Sequence, residues 1–424
     1  MKAFTYRAGQ LACEAVPLET IAAAVGTPCY VYSAGSMRSR LGAYQEAFAD
    51  RPALFCYAVK ANSNLAVIRT LAAAGAGADT VSGGEIARAL AAGVAPERIV
   101  FAGIAKTDDE IRFALRTGIM QFNVESVPEL LRISTIATDL GTTAPVALRI
   151  NPDVDAGTHS KITTGRKEDK FGIAYADAPA LFAMAAGLVG VTPIGVHLHI
   201  GSQITALEPF EQAYRRGIDL FDEMRRSGIP LRRLDLGGGF GVRYRNETPI
   251  TPAAFARMVK DLLGARDVEL VFEPGRALVG EAGALIASVI YRKESAGRRF
   301  LILDAGMNVL IRPALYDAYH EVLPLAEPAA DAQLEPMDVV GPICESSDIF
   351  GRDRWLPLLD AGDRVAFLSA GAYGAVMASN YNSRVSAAEV LVDGDRWAVI
   401  KPAIPPEAQF AGEAIPPWLA VVGH

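Results

Sequence analysis

Between about residues 50 and 276 the chain repeats one hydrophobic pattern, a short β-rich apolar run followed by an Ala/Leu-rich stretch with apolar residues at helical spacing. The runs Phe55–Val59, Ala78–Val81, Ile99–Phe101, Met120–Val124, Val146–Ile150, Gly195–Ile200, Arg233–Leu236 and Leu270–Phe272 predict strands. Stretches such as Leu65–Ala74, Gly84–Ala92 and Asp108–Thr117 predict the helices between them. Eight alternating units are what a closed (β/α)8 TIM-like barrel requires, and the count favours it over a doubly wound open sheet. The long gap after Ile150 holds a polar stretch, Asp153–Lys170, which predicts a flap near the site.

After Arg276 the pattern changes. Ala284–Tyr291, Phe300–Leu303, Val339–Val340, Arg364–Leu368 and Ala387–Val392 read as strands without helical partners, which predicts a second, mainly β domain. Phe4–Tyr6 and Tyr30–Tyr32 fit no barrel unit and are expected to join it. The expected division is an α/β barrel over residues 33–280, with a β-rich domain built from 1–32 plus 281–424. The tail, Lys401–His424, is rich in Pro and Ala and is expected to be a poorly ordered extension.

Composition narrows the function classes. A formal net charge of −7 argues against a nucleic-acid or anionic-membrane partner. Met1–Leu11 lacks a basic region followed by an apolar run, which predicts no signal peptide, and no stretch is apolar enough to span a membrane. The four cysteines, Cys13, Cys29, Cys56 and Cys344, lack metal-like spacing and suggest reduced thiols in a cytoplasm.

The active site of a barrel enzyme forms at the C-terminal ends of its strands, and the unusual residues fall there. Strand one ends in Lys60-Ala-Asn62, strand two in Ser82-Gly-Gly-Glu85, strand six in His197-Leu-His199-Ile-Gly201-Ser202, strand seven in Asp235-Leu-Gly237-Gly238-Gly239, and strand eight in Glu273-Pro274-Gly275-Arg276. A glycine run lets backbone N–H groups approach a phosphate, and Arg276 adds a bidentate donor. Gly237–Gly239 alone would equally suit a plain turn, but with Arg276 they point to phosphate. A buried lysine loses proton affinity and becomes a free amine able to form a Schiff base. Lys60 could instead snorkel to the rim, but a phosphate site in the same barrel favours the amine reading, because pyridoxal 5'-phosphate needs both. Glu273 suits the pyridine nitrogen of that cofactor, a salt bridge to Arg276 being the plainer alternative. His197 and His199 form a His-x-His as in barrel metallohydrolases. The remaining histidines, His159, His320 and His424, end no barrel strand, so a flat imidazole stacked on a ring is the better reading than a metal. Cys344, in Gly341-Pro-Ile-Cys344-Glu345-Ser-Ser-Asp348, is either a proton donor or a small buried hydrophobe, and spacing alone leaves both open.

At these residues the chain resembles the fold type III, alanine-racemase-like pyridoxal-phosphate decarboxylases, and within them the branch that acts on meso-2,6-diaminopimelate. The resemblance rests on Tyr57-Ala-Val-Lys60-Ala-Asn62, Val81-Ser-Gly-Gly-Glu85, His199-Ile-Gly-Ser-Gln203, Leu236-Gly-Gly-Gly-Phe-Gly241, Glu273-Pro-Gly-Arg276, Ile311-Arg-Pro-Ala-Leu-Tyr316, Cys344-Glu-Ser-Ser-Asp348 and Ala370-Gly-Ala-Tyr373-Gly374. It implies that Lys60 carries the cofactor, His199 stacks on its ring and Glu273 holds its nitrogen. Ser202, Gly237, Gly238, Gly239, Pro274, Gly275, Arg276 and Tyr373 would surround the cofactor, mostly at its phosphate. Arg276, Arg312, Tyr316, Glu345 and Tyr373 would bind substrate, and Cys344 would protonate the carbanion. Cys344 and Glu345 would come from the partner subunit of a homodimer. The implied product is L-lysine. Ala305-Gly-Met-Asn308-Val309 and Gly103-Ile-Ala-Lys106 depart from the usual pattern without touching a residue assigned chemistry. Decarboxylases of ornithine, arginine or carboxynorspermidine, and amino-acid racemases, share the fold and remain alternatives.

Overall fold

The computed structural model describes residues 2–154 and 171–419. Eight parallel strands run Ala53–Ala58 (β1), Gly77–Thr80 (β2), Ile99–Phe101 (β3), Gln121–Val124 (β4), Ala144–Asn151 (β5), Val191–His197 (β6), Arg233–Asp235 (β7) and Glu269–Phe272 (β8). Each pairs with the next, and β8 returns to β1 through Leu270↔Ala53 and Phe272↔Phe55, so the sheet closes. The open-sheet alternative is excluded by that last pairing. β6 begins and ends earlier than its apolar run suggests. It carries a register shift at Pro193/Gly195, and the ladder stops at His197.

The helices follow from local chemistry as well as pattern. Ser82 caps the helix Gly83–Ala91 by accepting the N–H of Glu85, whose carboxylate accepts the N–H of Val81. Part of the Val81–Glu85 motif therefore serves helix initiation. Thr107 and Glu110 form a capping box at Asp108–Thr117, and Gly118 closes that helix in the left-handed conformation.

Alternate residues of the strands face outward into an apolar layer or inward into the barrel. Phe101, Phe122, Leu148, Val196, Leu234 and Phe272 belong to the main core under the helices. Inside, the lower end is closed by Cys56, Val100 and Val271. Above them lies a polar layer from Gln121, Asn123, Arg233, Asp235 and His197, all buried.

The second domain is a sheet in the order Ile349–Pro357, Leu334–Val340, Arg298–Leu303, Gly283–Ser295, Cys29–Ser33, Ala388–Asp393, Arg396–Lys401. The 13-residue strand Gly283–Ser295 is its spine, and Arg364–Phe367 also pairs with it. Cys29–Ser33 is wholly buried between Gly283–Ser295 and Ala388–Asp393, as expected for Tyr30–Tyr32. Phe4–Arg7 instead forms its own small sheet with Gln10–Cys13 and Val16–Pro17. Positive φ at Ala8, Gly9 and Glu14 folds this segment back on itself, and it packs on the β domain through Phe4, Leu11 and Val16. The tail is not featureless over its described part. The strand Arg396–Lys401 is followed by the short helix Pro406–Gln409, and Gln409 donates to the Arg384 carbonyl. The expected flap lies largely outside the described residues, as do His159 and His424.

Candidate active site

The chain turns sharply after β1, and the turn Val59–Ala61 presents Lys60 at the barrel mouth. Its Nζ donates to Asp79 Oδ2 on β2 at 3.0 Å. The Lys60 side chain is 37% exposed, while Asp79 is fully enclosed. Burial lowers the proton affinity of this amine, as the sequence suggested, but Asp79, Tyr373 and Glu273 outweigh it and carry the ammonium above the ordinary lysine value. The expected free amine is therefore an ion-paired ammonium here. Burial and Glu273 push the Asp79 carboxyl up, against the pull of Lys60.

Glu273, at the end of β8, is the centre of the polar layer. His197 Nε2 lies 3.2 Å from its Oε2, and Asn123 Nδ2 donates to its Oε1 at 3.0 Å. Gln121 bridges Asn123 Oδ1 (2.7 Å) and Asp235 Oδ2 (2.8 Å), and Arg233 donates to Gln121 Oε1 at 2.9 Å. Burial alone would raise the Glu273 carboxyl, yet His197 beside it, with Lys60, holds it well below the usual carboxylate range. Burial and Glu273 push Asp235 well above that range. The layer thus pushes its two carboxyls in opposite directions, Glu273 toward the anion and Asp235 toward the protonated form. The alternative Glu273–Arg276 salt bridge is not formed, because Arg276 bonds to Tyr244 and Ser202 instead.

His199 stands apart from His197. Its Nδ1 accepts the Gly238 N–H at 3.4 Å, and burial, then Arg149 and Lys60, push the imidazole well below its ordinary value. A neutral flat ring results at the mouth. His197 is grouped with Asp235 and Glu273, whose potential ligand atoms lie within 4.8 Å of one another, but those atoms are bonded within the network just described. His320 is bonded to Arg312. Among the described residues the grouping with Asp235 and Glu273 holds one histidine, His197, with two carboxyls.

The glycine run has a packing cause. A Cβ on Gly237 would meet the Leu198 carbonyl at 2.1 Å, one on Gly238 the Glu273 carbonyl at 2.1 Å, and one on Gly239 the Gly201 carbonyl at 2.5 Å. Gly237 and Gly239 also hold positive φ. A Cβ on Gly275 would come to 3.0 Å from the Ala58 Cβ and 3.1 Å from that of Ala61, and the Pro274 carbonyl accepts the Ala58 N–H, so the β8 end is seated against the Lys60 turn.

Arg276 and Arg312 are both buried, and no carboxylate among the described residues pairs with either. Arg276 donates to Tyr244 OH at 2.6 Å and Ser202 Oγ at 3.1 Å, and its guanidinium lies 4.8 Å from the Tyr373 ring. Its Nε is buried without a partner among the described residues. Tyr373, at positive φ, donates its N–H to the Ala61 carbonyl. Arg312 and Tyr316 are the ends of a short helix, Arg312–Tyr316, and Arg312 lies 4.6 Å over the Tyr244 ring. A lysine, two guanidiniums without a carboxylate partner and an Arg276 Nε without an acceptor among the described residues, and an anionic carboxyl fit a phosphorylated aldehyde with a basic ring nitrogen.

Cys344 and Glu345 make their bonds to Asn382, Ser347 and Tyr381, all in the second half of the chain. Cys344 is the one exposed cysteine, and its N–H bonds to Asn382 Oδ1. Glu345 accepts from Tyr381 OH at 2.8 Å. The small-buried-hydrophobe reading therefore fits Cys13, Cys29 and Cys56 but not Cys344.

Sequence reading missed Asp79, Gln121, Asn123, Tyr244 and His320 as parts of the site. The signal for the strand residues was available, since Gln121-Phe-Asn123 and Arg233-Leu-Asp235 alternate polar and apolar residues within buried strands. Tyr244 and His320 carry no such pattern.

The model of the pyridoxal-dependent decarboxylases' pyridoxal binding domain matches residues 34–280. The diaminopimelate decarboxylase of Pseudomonas aeruginosa is 50% identical over 417 residues, 98% of this chain and all of that one. The structure of diaminopimelate decarboxylase from Helicobacter pylori complexed with L-lysine is 43% identical, with a TM-score of 0.90 over 93% of this chain and 99% of that one. The enzyme from M. jannaschii, also in complex with L-lysine, is 37% identical, with a TM-score of 0.93 over 98% of this chain and 99% of that one. With a closed parallel barrel, a lysine and an anionic carboxyl at its mouth, and likeness over nearly its whole length, the chain belongs to the diaminopimelate decarboxylase family of pyridoxal-dependent decarboxylases.

Proposed function

We propose that this carboxy-lyase converts meso-2,6-diaminopimelate to L-lysine and carbon dioxide, using pyridoxal phosphate. The observation that carries the reading is the pairing of a lysine-bearing barrel mouth with two buried arginines that lack carboxylate partners among the described residues. The substrate has a centre of each hand and L-lysine keeps the L centre, so the carboxylate lost is the one at the D centre. When bound, pyridoxal phosphate supplies an aldehyde that condenses with amines and a pyridinium ring that takes up the electron pair left by carbon dioxide.

The residues divide the remaining work. Lys60 is the amine that anchors the cofactor, and Asp79 holds the proton on its Nζ when it is released. Glu273, kept anionic by His197 and Asn123, holds the proton on the ring nitrogen. His199 would face the ring of the bound cofactor. Ser202, Gly237–Gly239, Gly275, Arg276 and Tyr373 would hold the phosphate end. Arg312, with Arg276 and Tyr316, takes the carboxylate at the retained centre, and Glu345 takes the ammonium there. Cys344 returns a proton to the α-carbon, which replaces the lost carboxylate with hydrogen.

We infer further that the working form is a homodimer in which Cys344 and Glu345 complete the partner's site. Their exposure, and their distance in sequence from the barrel, support this. The division into residues 33–280 and 1–32 plus 281–424 is adopted here, as is a cytoplasmic setting that keeps the four thiols reduced. Among the described residues no helix is long and apolar enough to cross a membrane. Incubating the protein with pyridoxal phosphate and meso-diaminopimelate, ornithine or arginine in turn, and weighing the products, tests the substrate. L-lysine from diaminopimelate alone is the expected result, whereas decarboxylation of ornithine at a comparable rate would overturn the assignment. Borohydride reduction followed by peptide mapping should find the cofactor on Lys60.

A further inference from the structure

Arg312 is held by a residue to which no chemistry has been assigned. Its Nη1 lies 2.8 Å from His320 Nε2. The other imidazole nitrogen, Nδ1, lies 2.8 Å from the Leu368 carbonyl oxygen. A carbonyl can only accept, so Nδ1 carries the hydrogen and donates it. A guanidinium can only donate, so Nε2 must be the bare acceptor. The two contacts therefore fix both the tautomer and the neutral state of His320. The ring is completely buried, and its remaining surroundings agree. Arg312 and then Arg276 and Arg354 stand nearby as positive charges, and with burial they push the imidazole down to about 3. Tyr244 meets the ring edge-on at 5.6 Å while its own face carries Arg312 and its hydroxyl takes Arg276.

This is an unusual way to hold an arginine. A carboxylate partner would bind it more strongly, but would also neutralise it and compete with any incoming anion. A neutral imidazole and an aromatic face orient the guanidinium while leaving its charge and its remaining N–H groups available. We infer that His320 is a positioning residue that aims Arg312, in its unneutralised form, at the carboxylate the substrate retains. The inference rests on the reading of Arg312 given above.

Two probes separate positioning from a general structural role. L-lysine carries the retained carboxylate, and 1,5-diaminopentane is the same molecule without it. Binding of both to the holoenzyme is measured by calorimetry for the wild type, His320→Leu, His320→Gln and Arg312→Ala. His320→Leu removes the acceptor and should weaken L-lysine by roughly 10- to 100-fold, the usual weight of a hydrogen bond to a charged group, with 1,5-diaminopentane changed by no more than about twofold. His320→Gln offers an oxygen to Arg312 and an N–H to Leu368, and should restore most of the L-lysine affinity. Equal weakening of both probes by His320→Leu, or no weakening of either, overturns the inference. If His320→Leu does not fold, His320→Gln decides on the same ratio together with His320→Glu. The glutamate supplies a competing carboxylate and should weaken L-lysine selectively, while equal effects on both probes count against the inference. Arg312→Ala tests the underlying reading. If it spares L-lysine, that reading falls and this inference with it. If it weakens L-lysine selectively and His320→Leu does not, only the role of His320 falls.

Discussion

The barrel mouth and the segment 341–348 were both marked by sequence motifs, yet they are built in opposite ways. At the mouth, functional side chains bond to one another and all but Lys60 are buried, as in Lys60–Asp79, His197–Glu273–Asn123 and Arg312–His320. In 341–348 the buried side chain is Asp348, whose carboxylate accepts the N–H groups of Met307 and Ile343 and pins the loop from within. Cys344 and Glu345 ride on that loop toward solvent. Charge is expensive to desolvate, so a site that holds charges in the dry must satisfy each of them from its own network. A loop that displays a thiol and a carboxylate in water has no such requirement and gains its dry surroundings only when something covers it. The difference teaches that buried charges are held by bonds within the barrel, whereas the thiol and carboxylate of 341–348 stand where solvent reaches them.

The sharpest way to break this comparison is subunit mixing. Lys60→Ala and Cys344→Ala should each be inactive, and exchange of subunits should restore activity to roughly a quarter of wild type if dimers assort randomly. Exchange proven by mass labelling with no recovery would mean that Cys344 serves its own chain. Next in size is the buried network. Glu273→Gln should lower kcat by roughly 100- to 1,000-fold, since a charge aimed at the electron sink is lost, and an unchanged kcat would reject that role. Arg312→Ala should cost about 2–3 kcal/mol, roughly 30- to 150-fold in kcat/KM for diaminopimelate. A loss below about threefold would make Arg312 a structural residue.

The smallest effect sharpens the contrast between buried and exposed groups. The unfolded chain protonates His320 near its ordinary 6.5, whereas the folded chain resists until about 3. Below 6.5 the unfolded state therefore binds the extra proton, so stability is whole above that pH and is lost as pH falls. At pH 5 the loss is about 2 kcal/mol from this one group. His320→Gln should flatten the decline in melting temperature between pH 7 and 5, and an unaltered decline would show that this ring is not the one responsible.

What the sequence conveyed divides along the same physical line. Alternation of strand and helix patterns sufficed for the barrel because each unit is local, and Ile99–Phe101 and Asp108–Thr117 fall where predicted. The ends of β6 were displaced because a bulge at Pro193/Gly195 is a property of pairing, not of composition. The glycines after β7 were read for phosphate, yet their first need is to avoid the carbonyls of Leu198, Glu273 and Gly201, which only the folded chain brings near. Lys60 was legible as a lysine ending an apolar strand. Its proton state was not, because Asp79 sits 19 residues away on the next strand. His320 and Tyr244 were invisible for the same reason, their meaning lying wholly in contacts with Arg312 and Arg276.

The strand Cys29–Ser33 has a consequence for the order in which the molecule is made. Its neighbours in the sheet are Gly283–Ser295 and Ala388–Asp393. From Ser33 to Ala388 is 388 − 33 = 355 residues of synthesis. At about 5–20 residues per second the ribosome needs on the order of 20–70 s to deliver the second neighbour. The barrel can close once Phe272 has emerged, well before that. The nascent chain can therefore hold a closed barrel whose Cys29–Ser33 strand has gained Gly283–Ser295 along one edge, while its other edge stays open until Ala388–Asp393 emerges.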